Sequence, residues 1–142
     1  MKKKKVLIVD DQLDNLISGM EAAKDLQFEP LGASSLKDAI EIIKKEDLYL
    51  VLTDMAMEGN KDAGIEIVKA CYKKGIPVGV VTMRRVIRLF IPEGLSSDSL
   101  ELIKIETIGE EEKDVNVWKK AFQRLEKEVN LEEGLATQKK TL

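Results

Sequence analysis

Histidine is absent from this sequence of 142 residues. Imidazole-ligated metals, Ser-His-Asp catalysis and an internal phosphohistidine relay are therefore excluded for these residues. Cysteine occurs once, as Cys71, so no internal disulfide can form within the sequence. Because Cys71 lies in a helical pattern, we expect it to be a small buried hydrophobe, which is compatible with a reducing cytoplasm.

A long apolar run and a strong net charge are also lacking. Charged residues make up 35% of the sequence and hydrophobic residues 44%, and the formal net charge is only -3. This composition is typical of one soluble globular domain, which we expect to be cytoplasmic. It favours neither insertion into a membrane nor direct binding of nucleic acid through overall charge.

Three short apolar runs are each followed by side-chain oxygens: residues 6–9 by Asp10 and Asp11, residues 48–53 by Asp54, and residues 76–81 by Thr82. Runs of this kind are typical of strands buried on both faces of a parallel sheet. The carboxyl ends of parallel strands meet at one edge of an open α/β sheet, where ligands bind. The three acids and the hydroxyl should therefore converge on one site.

Helical patterns alternate with these runs and predict which side chains face the core: Leu13, Leu16, Ile17 and Met20 in the first helix, and Ile65, Val68 and Tyr72 in the third. The second helix starts near Ser35, which has capping-box spacing to Asp38. Residues 28–33 are predicted to form a strand, and Pro30 within it favours an edge position. The alternation predicts βαβ units and a parallel sheet.

The second half of the sequence has a less regular pattern. We predict a helix over residues 84–91, although its apolar run also suits a strand. Residues 100–105 are predicted to be the last strand, and a stripe over residues 115–129 predicts a final helix. That stripe has heptad-like spacing that could pair with another chain, but packing on its own sheet is favoured. We therefore predict a domain over residues 1–130 and a frayed tail over 131–142.

Three clustered carboxylates, from Asp10, Asp11 and Asp54, would repel one another unless they bind a cation, and Mg²⁺ suits such an oxygen-rich site. A carboxylate beside Mg²⁺ can act as a nucleophile toward a phosphoryl group and form an aspartyl phosphate, which makes Asp54 the candidate acceptor. Lys104, near the end of the last strand, is placed to neutralise the phosphoryl oxygens. Thr82 could donate a hydrogen bond to one of them.

Each assignment has a simpler alternative. The acids could be ordinary turn and capping residues, but their joint placement after buried strands favours a site. Lys104 could be a solvent-facing strand lysine, and the Thr82 hydroxyl could simply form a hydrogen bond with its own backbone.

The sequence resembles the receiver domains of bacterial two-component response regulators. The resemblance rests on residues 6–11, residues 52–57, residues 80–82 and Lys104, which occur in the order and at the approximate spacing that receivers show. It implies an α/β fold that is doubly wound and flavodoxin-like, with a five-stranded parallel sheet and helices on both faces. It is strong through Thr82 and weaker in the last third.

The resemblance also implies a role for each site residue. Asp54 would accept phosphate from a sensor histidine kinase or a phosphotransfer protein. Asp11, Asp54 and the backbone carbonyl of Ala56 would bind Mg²⁺ directly, and Asp10 would bind it through water. Thr82 and Lys104 would sense the phosphoryl group, whose presence would shift a pre-existing equilibrium and change the face made by the fourth helix, last strand and last helix.

The sequence departs from the family's pattern in four places. Ile105 stands where proline is common, and Glu58 or a nearby residue replaces the proline common after the acceptor loop. Met83 stands where the residue is usually small, and Glu101 where it is often aromatic. The leading hypothesis is a stand-alone phosphoacceptor receiver, not an enzyme, that signals by contact with an unknown downstream protein. We expect no DNA-binding effector domain. The alternative is a phosphate-independent pseudo-receiver interaction module. A phosphatase-like hydrolase would need a general acid that no residue supplies.

Overall fold

The computed structural model describes residues 2–81, 86–90, 103–107 and 114–141, with side chains described at 2–81 and 114–130. Within these ranges the chain forms one sheet and four helices. The elements in chain order are β1 (Lys5–Val9), α1 (Leu13–Asp25), β2 (Glu29–Ala33), α2 (Leu36–Lys45), β3 (Leu50–Thr53), α3 (Ala63–Lys74), β4 (Val78–Val81), β5 (Val86–Phe90), β6 (Ile103–Thr107) and α4 (Val115–Thr141).

The sheet has the strand order β2-β1-β3-β4-β5-β6. The first four strands in this order are parallel, which confirms the α/β fold with a parallel sheet and helices. β2 lies at the edge, as Pro30 predicted. The other edge differs from the expected five parallel strands, because β5 runs antiparallel to β4 and β6 antiparallel to β5.

The helix predicted over residues 84–91 is wrong, because Val86–Phe90 forms β5. Its β-branched and aromatic side chains suit a strand, and an antiparallel strand can return beside β4 after a short connection. The last strand, β6, begins at Ile103 and runs two residues beyond the predicted end. α4 continues to Thr141, so residues 131–141 are helical and not a frayed tail. The domain boundary at residue 130 stays a prediction.

Two apolar layers cover the two faces of the sheet. In β1, Val6 and Ile8 point to the layer that contains α1 and α4, whereas Leu7 and Val9 point to the layer that contains α2 and α3. The α4 stripe packs on its own sheet, and its buried members are Val117, Trp118, Ala121, Phe122, Leu125 and Val129. This burial on both faces explains why the central strands have no polar alternation.

The predicted core face of α1 is correct for Leu16, and Met20 is partly buried against the core, but the prediction is wrong for Leu13 and Ile17. Leu13 and Ile17 are 65% and 55% exposed, while Leu16 and Gly19 are buried. A β-carbon on Gly19 would lie 2.7 Å from Cγ2 of Ile8, so the helix approaches β1 through its small residues. The large side chains of Leu13 and Ile17, on the neighbouring face of the helix, are therefore exposed to solvent.

In α3 the prediction was correct for Val68 but wrong for Ile65, which is 38% exposed, and Tyr72 is only partly buried. Cys71 is fully buried, as predicted, and burial raises the pKa of its thiol to about 12. The Ser35 hydroxyl accepts a hydrogen bond from the Asp38 N–H at 3.1 Å, which confirms the predicted cap of α2. No helix in the described ranges is long and apolar enough to cross a membrane.

Candidate functional site

Asp10 and Asp54 emerge side by side because β1 and β3 are parallel neighbours in register. Val9 pairs with Thr53, so the residue after each strand lies at the same edge of the sheet. The Asp54 N–H donates to the Val9 carbonyl at 2.8 Å, and the Asp10 N–H donates to the Ala33 carbonyl of β2 at 3.1 Å. The last interstrand hydrogen bonds of the sheet therefore hold the backbone of both acids in place.

Asp10, Asp11 and Asp54 form a carboxylate cluster at this edge. One carboxylate oxygen from each lies within 4.8 Å of the other two. Asp10 is completely buried, Asp54 is 5% exposed, and Asp11 is partly exposed. The convergence predicted from the sequence is confirmed for these three residues.

Each carboxylate of the cluster accepts a hydrogen bond from a peptide N–H. Gln12 donates to Asp10 Oδ1 at 2.9 Å, Met55 donates to Asp54 Oδ1 at 2.9 Å, and Glu58 donates to Asp11 Oδ2 at 3.0 Å. Such bonds fix the orientation of a carboxylate. The three carboxylates are therefore each held in place by the backbone of a neighbouring turn or loop.

The donor set suits a small hard divalent cation. Mg²⁺ is bound through carboxylates, carbonyls and retained waters, and three carboxylate oxygens within 4.8 Å provide ligands of that kind. Ala56, the predicted carbonyl ligand, is an exposed loop residue two positions after Asp54. The residues present therefore fit Mg²⁺ by the chemistry of their oxygens.

The backbone after Asp54 is clamped against α3. The Gly64 N–H donates to the Met55 carbonyl at 2.7 Å, and the Thr53 hydroxyl donates to the Asp54 carbonyl at 2.9 Å. A β-carbon on Gly64 would lie 2.8 Å from the Asp54 carbonyl oxygen and 2.8 Å from Met55 Cα. Only glycine lets the helix come this close to the candidate acceptor.

The other predicted site residues are not part of the described cluster. Thr82 lies outside the described residues, as do Met83 and Glu101. Lys104 lies in β6, level with Arg88 of β5. Since β4 and β5 separate β6 from β3, the Lys104 backbone is about 14 Å from β3 at the usual strand spacing. Its side chain is outside the described residues, and its role stays a prediction.

Sequence reasoning missed two residues that shape the site, Glu58 and Gly64. Glu58 was noted only as a departure from a proline. The pair Glu58-Gly59 before Asn60 is a turn signal, and Met57 and Asn60 do form an isolated bridge there. For Gly64, the available signal was a glycine within the first turn of a helix, where alanine is otherwise favoured.

The chain is structurally similar to solved response-regulator receiver domains. One is the CheY-like receiver domain protein from Methanospirillum hungatei JF-1, at 25% identity and a TM-score of 0.52 over 57% of this chain. A second is the response regulator TrrA from Thermotoga maritima, solved in complex with Mg²⁺-BeF, at 23% identity and a TM-score of 0.51 over 56% of this chain and 69% of that one. A third is the chemotaxis response regulator CheY4 of Vibrio cholerae, at 24% identity and a TM-score of 0.50 over 56% of this chain and 68% of that one.

Over the matched part, just over half of its length, the chain therefore has the fold of CheY-like response-regulator receiver domains. The similarity covers 65% of the Methanospirillum domain, which is less than two thirds of its length. No protein-family model and no curated protein matches the sequence.

Proposed function

We propose that the chain is a phosphoacceptor receiver that takes a phosphoryl group on Asp54 with the help of Mg²⁺. The observation that carries the proposal is the cluster of Asp10, Asp11 and Asp54 carboxylates at the carboxyl edge of the parallel sheet. Similarity to receiver domains supports it, and one of those similar structures contains Mg²⁺-BeF.

The proposed donor is a phosphohistidine on a sensor histidine kinase or a phosphotransfer protein. These 142 residues contain no histidine, so the donor histidine lies outside this sequence. A carboxylate oxygen of Asp54 forms a bond to phosphorus as the bond between phosphorus and the histidine nitrogen breaks. If the phosphohistidine is protonated on its second nitrogen, the imidazole leaves as a neutral ring.

The chain's own groups prepare Asp54 for this step. The Met55 N–H fixes one oxygen of the Asp54 carboxylate, and the clamp against Gly64 fixes its backbone. Mg²⁺, when bound directly by Asp11, Asp54 and the Ala56 carbonyl and through water by Asp10, would neutralise the acids and the phosphoryl oxygens. The side-chain contributions proposed for Thr82 and Lys104 come from the resemblance alone.

We further propose a cytoplasmic signalling protein whose output is contact with a downstream protein, without direct nucleic-acid binding or membrane insertion. It would assist its own phosphoryl transfer and dephosphorylation but would not turn over a small substrate. Hydrolysis of a phosphate ester such as p-nitrophenyl phosphate, at many turnovers per chain, would contradict this part.

Beryllofluoride binding tests the proposal directly, because the anion mimics a phosphoryl group on a carboxylate. We expect a bound ¹⁹F NMR signal in the wild type only when Mg²⁺ is present, and none in Asp54→Asn. Asparagine keeps the shape of the side chain but lacks an anionic oxygen. A folded wild type that binds Mg²⁺ and shows no bound fluoride signal would contradict the proposal.

One observation favours the second candidate, a phosphate-independent pseudo-receiver interaction module. β5 separates β6 from β4, so the strand that carries Lys104 does not neighbour the strand that precedes Thr82. A module of this kind would keep the fold and a partner-binding surface but would not form an acyl phosphate. The same beryllofluoride experiment separates the two candidates.

A further inference from the structure

Asp11 is held differently from the other two acids of the carboxylate cluster. Asp10 and Asp54 accept hydrogen bonds from residues two and one positions later, within their own turns. The described hydrogen bond to the Asp11 carboxylate comes from Glu58, 47 positions away. The orientation of Asp11, the most exposed of the three, therefore depends on where the loop after β3 places Glu58.

Glu58 in turn is anchored to a third segment. Its Oε1 accepts a hydrogen bond from the N–H of Leu36, the first residue of α2, at 3.1 Å. The Ser35 hydroxyl accepts a hydrogen bond from another N–H of the same turn, that of Asp38. A carboxylate at the amino end of a helix is stabilised by the unpaired N–H groups and the helix dipole. Glu58 thus connects the turn after β1, the loop after β3 and the start of α2.

The backbone of Glu58 is strained. Its φ is +54°, a left-handed conformation that is unfavourable for a residue with a side chain. Strain of this kind persists where surrounding contacts hold it, and it often occurs at functional sites. Proline, which is common in the resembling family at or near this position, has a fixed φ near -65° and no N–H, so at position 58 it could not make this contact.

We infer that Glu58 is a positioning residue for the metal site: its peptide N–H orients the Asp11 carboxylate, and its side chain holds the loop in place on α2. The inference rests on the proposed function, since it concerns the Mg²⁺ affinity of the same carboxylate cluster. Glu58 itself does not touch the reacting groups in this account.

The test is a Mg²⁺ titration followed by ¹H–¹⁵N NMR on the wild type and on Glu58→Gln, Glu58→Ala and Glu58→Pro. Glutamine can still accept the Leu36 N–H, so its affinity should stay within about twofold of the wild type. Alanine loses that anchor and should weaken Mg²⁺ binding about 3- to 10-fold. Proline loses the peptide N–H as well and should weaken it further. Glu66→Gln removes an exposed carboxylate in the first turn of α3. It therefore measures how much the loss of one negative charge alone changes the Mg²⁺ affinity.

The order of affinities, glutamine above alanine above proline, distinguishes positioning from a simple charge effect. Equal losses for Glu58→Gln and Glu58→Ala, or no loss for any variant, would overturn the inference. The NMR spectra without Mg²⁺ report whether each variant is folded, and the glutamine–alanine pair decides the matter if the proline variant does not fold. A wild type that binds no Mg²⁺ would instead contradict the proposed function.

Discussion

At the scale of single residues, Gly64 determines how closely α3 can approach the candidate phosphoacceptor. We expect Gly64→Ala to lower the free energy of unfolding by about 1–3 kcal/mol, because the added methyl meets backbone atoms that cannot move aside. The same displacement should move Asp54 and lower the affinity for Mg²⁺ several-fold. Denaturant unfolding and the NMR titration measure the two effects.

Gly19→Ala is the matched control for this change. Its added methyl would lie 2.7 Å from Cγ2 of Ile8 and would also be destabilising, but it meets only side chains. We therefore expect Gly19→Ala to lower stability and leave Mg²⁺ affinity unchanged. If Gly64→Ala binds Mg²⁺ as tightly as the wild type, the clamp does not position Asp54.

Lys74 stabilises the end of a helix other than its own. Its Nζ donates to the carbonyls of Ile43 at 2.6 Å and Glu46 at 3.1 Å, at the carboxyl end of α2. Terminal carbonyls have no partner inside the helix, and a cation there also complements the helix dipole. We expect Lys74→Met to lower the free energy of unfolding by about 1–2 kcal/mol, since methionine keeps the stem but not the donors.

The neighbouring exposed Lys73 provides the comparison for that measurement. Lys73→Met makes the same chemical change without removing a described hydrogen bond, and we expect a change within about 0.5 kcal/mol. Equal effects of the two substitutions in denaturant unfolding would show that the Lys74 bonds contribute nothing specific.

From the sequence, site residues could be predicted only where they follow strands that end at the same edge of the sheet. Asp10, Asp11 and Asp54 directly follow buried strands, so topology alone predicts their meeting. The contact between Asp11 and Glu58 joins positions 47 apart through a left-handed backbone, and no periodic pattern encodes it.

At the scale of elements, β5 gives the clearest test of the fold. Val86–Phe90 pairs with β4 on one side and β6 on the other, with Leu89 opposite Gly79 and Ile103. We expect negative ¹³Cα secondary shifts over residues 86–90 and nuclear Overhauser contacts from Leu89 to Gly79 and Ile103. Positive secondary shifts over these residues would indicate a helix and contradict the strand.

The errors in element prediction have physical causes. Residues 84–91 span about two helical turns, which are too few for periodicity to distinguish a strand from a helix. The prediction for α1 is wrong at Leu13 and Ile17 because Gly19, Ala22 and Ala23 allow a closer approach than those two side chains would. In both cases tertiary packing determines the structure, and the local periodicity of the sequence carries no information about that packing.

At the scale of the whole molecule, the parallel half of the sheet supports the carboxylate cluster, and the antiparallel half departs from the expected topology. Alternating strand and helix patterns predicted β1 to β4 because each parallel connection requires a helix. No such pattern separates β4 from β5. We therefore expect the parallel half alone to support phosphoacceptor chemistry, with Asp54 as the acceptor.

Intact-mass spectrometry tests this central claim most directly, after incubation of wild type and Asp54→Asn with Mg²⁺ and acetyl phosphate. We expect one phosphoryl adduct on the wild type, lost on treatment with hydroxylamine as an acyl phosphate should be, and none on Asp54→Asn or without Mg²⁺. An adduct of equal yield on Asp54→Asn, or no adduct on a folded wild type that binds Mg²⁺, would contradict the account.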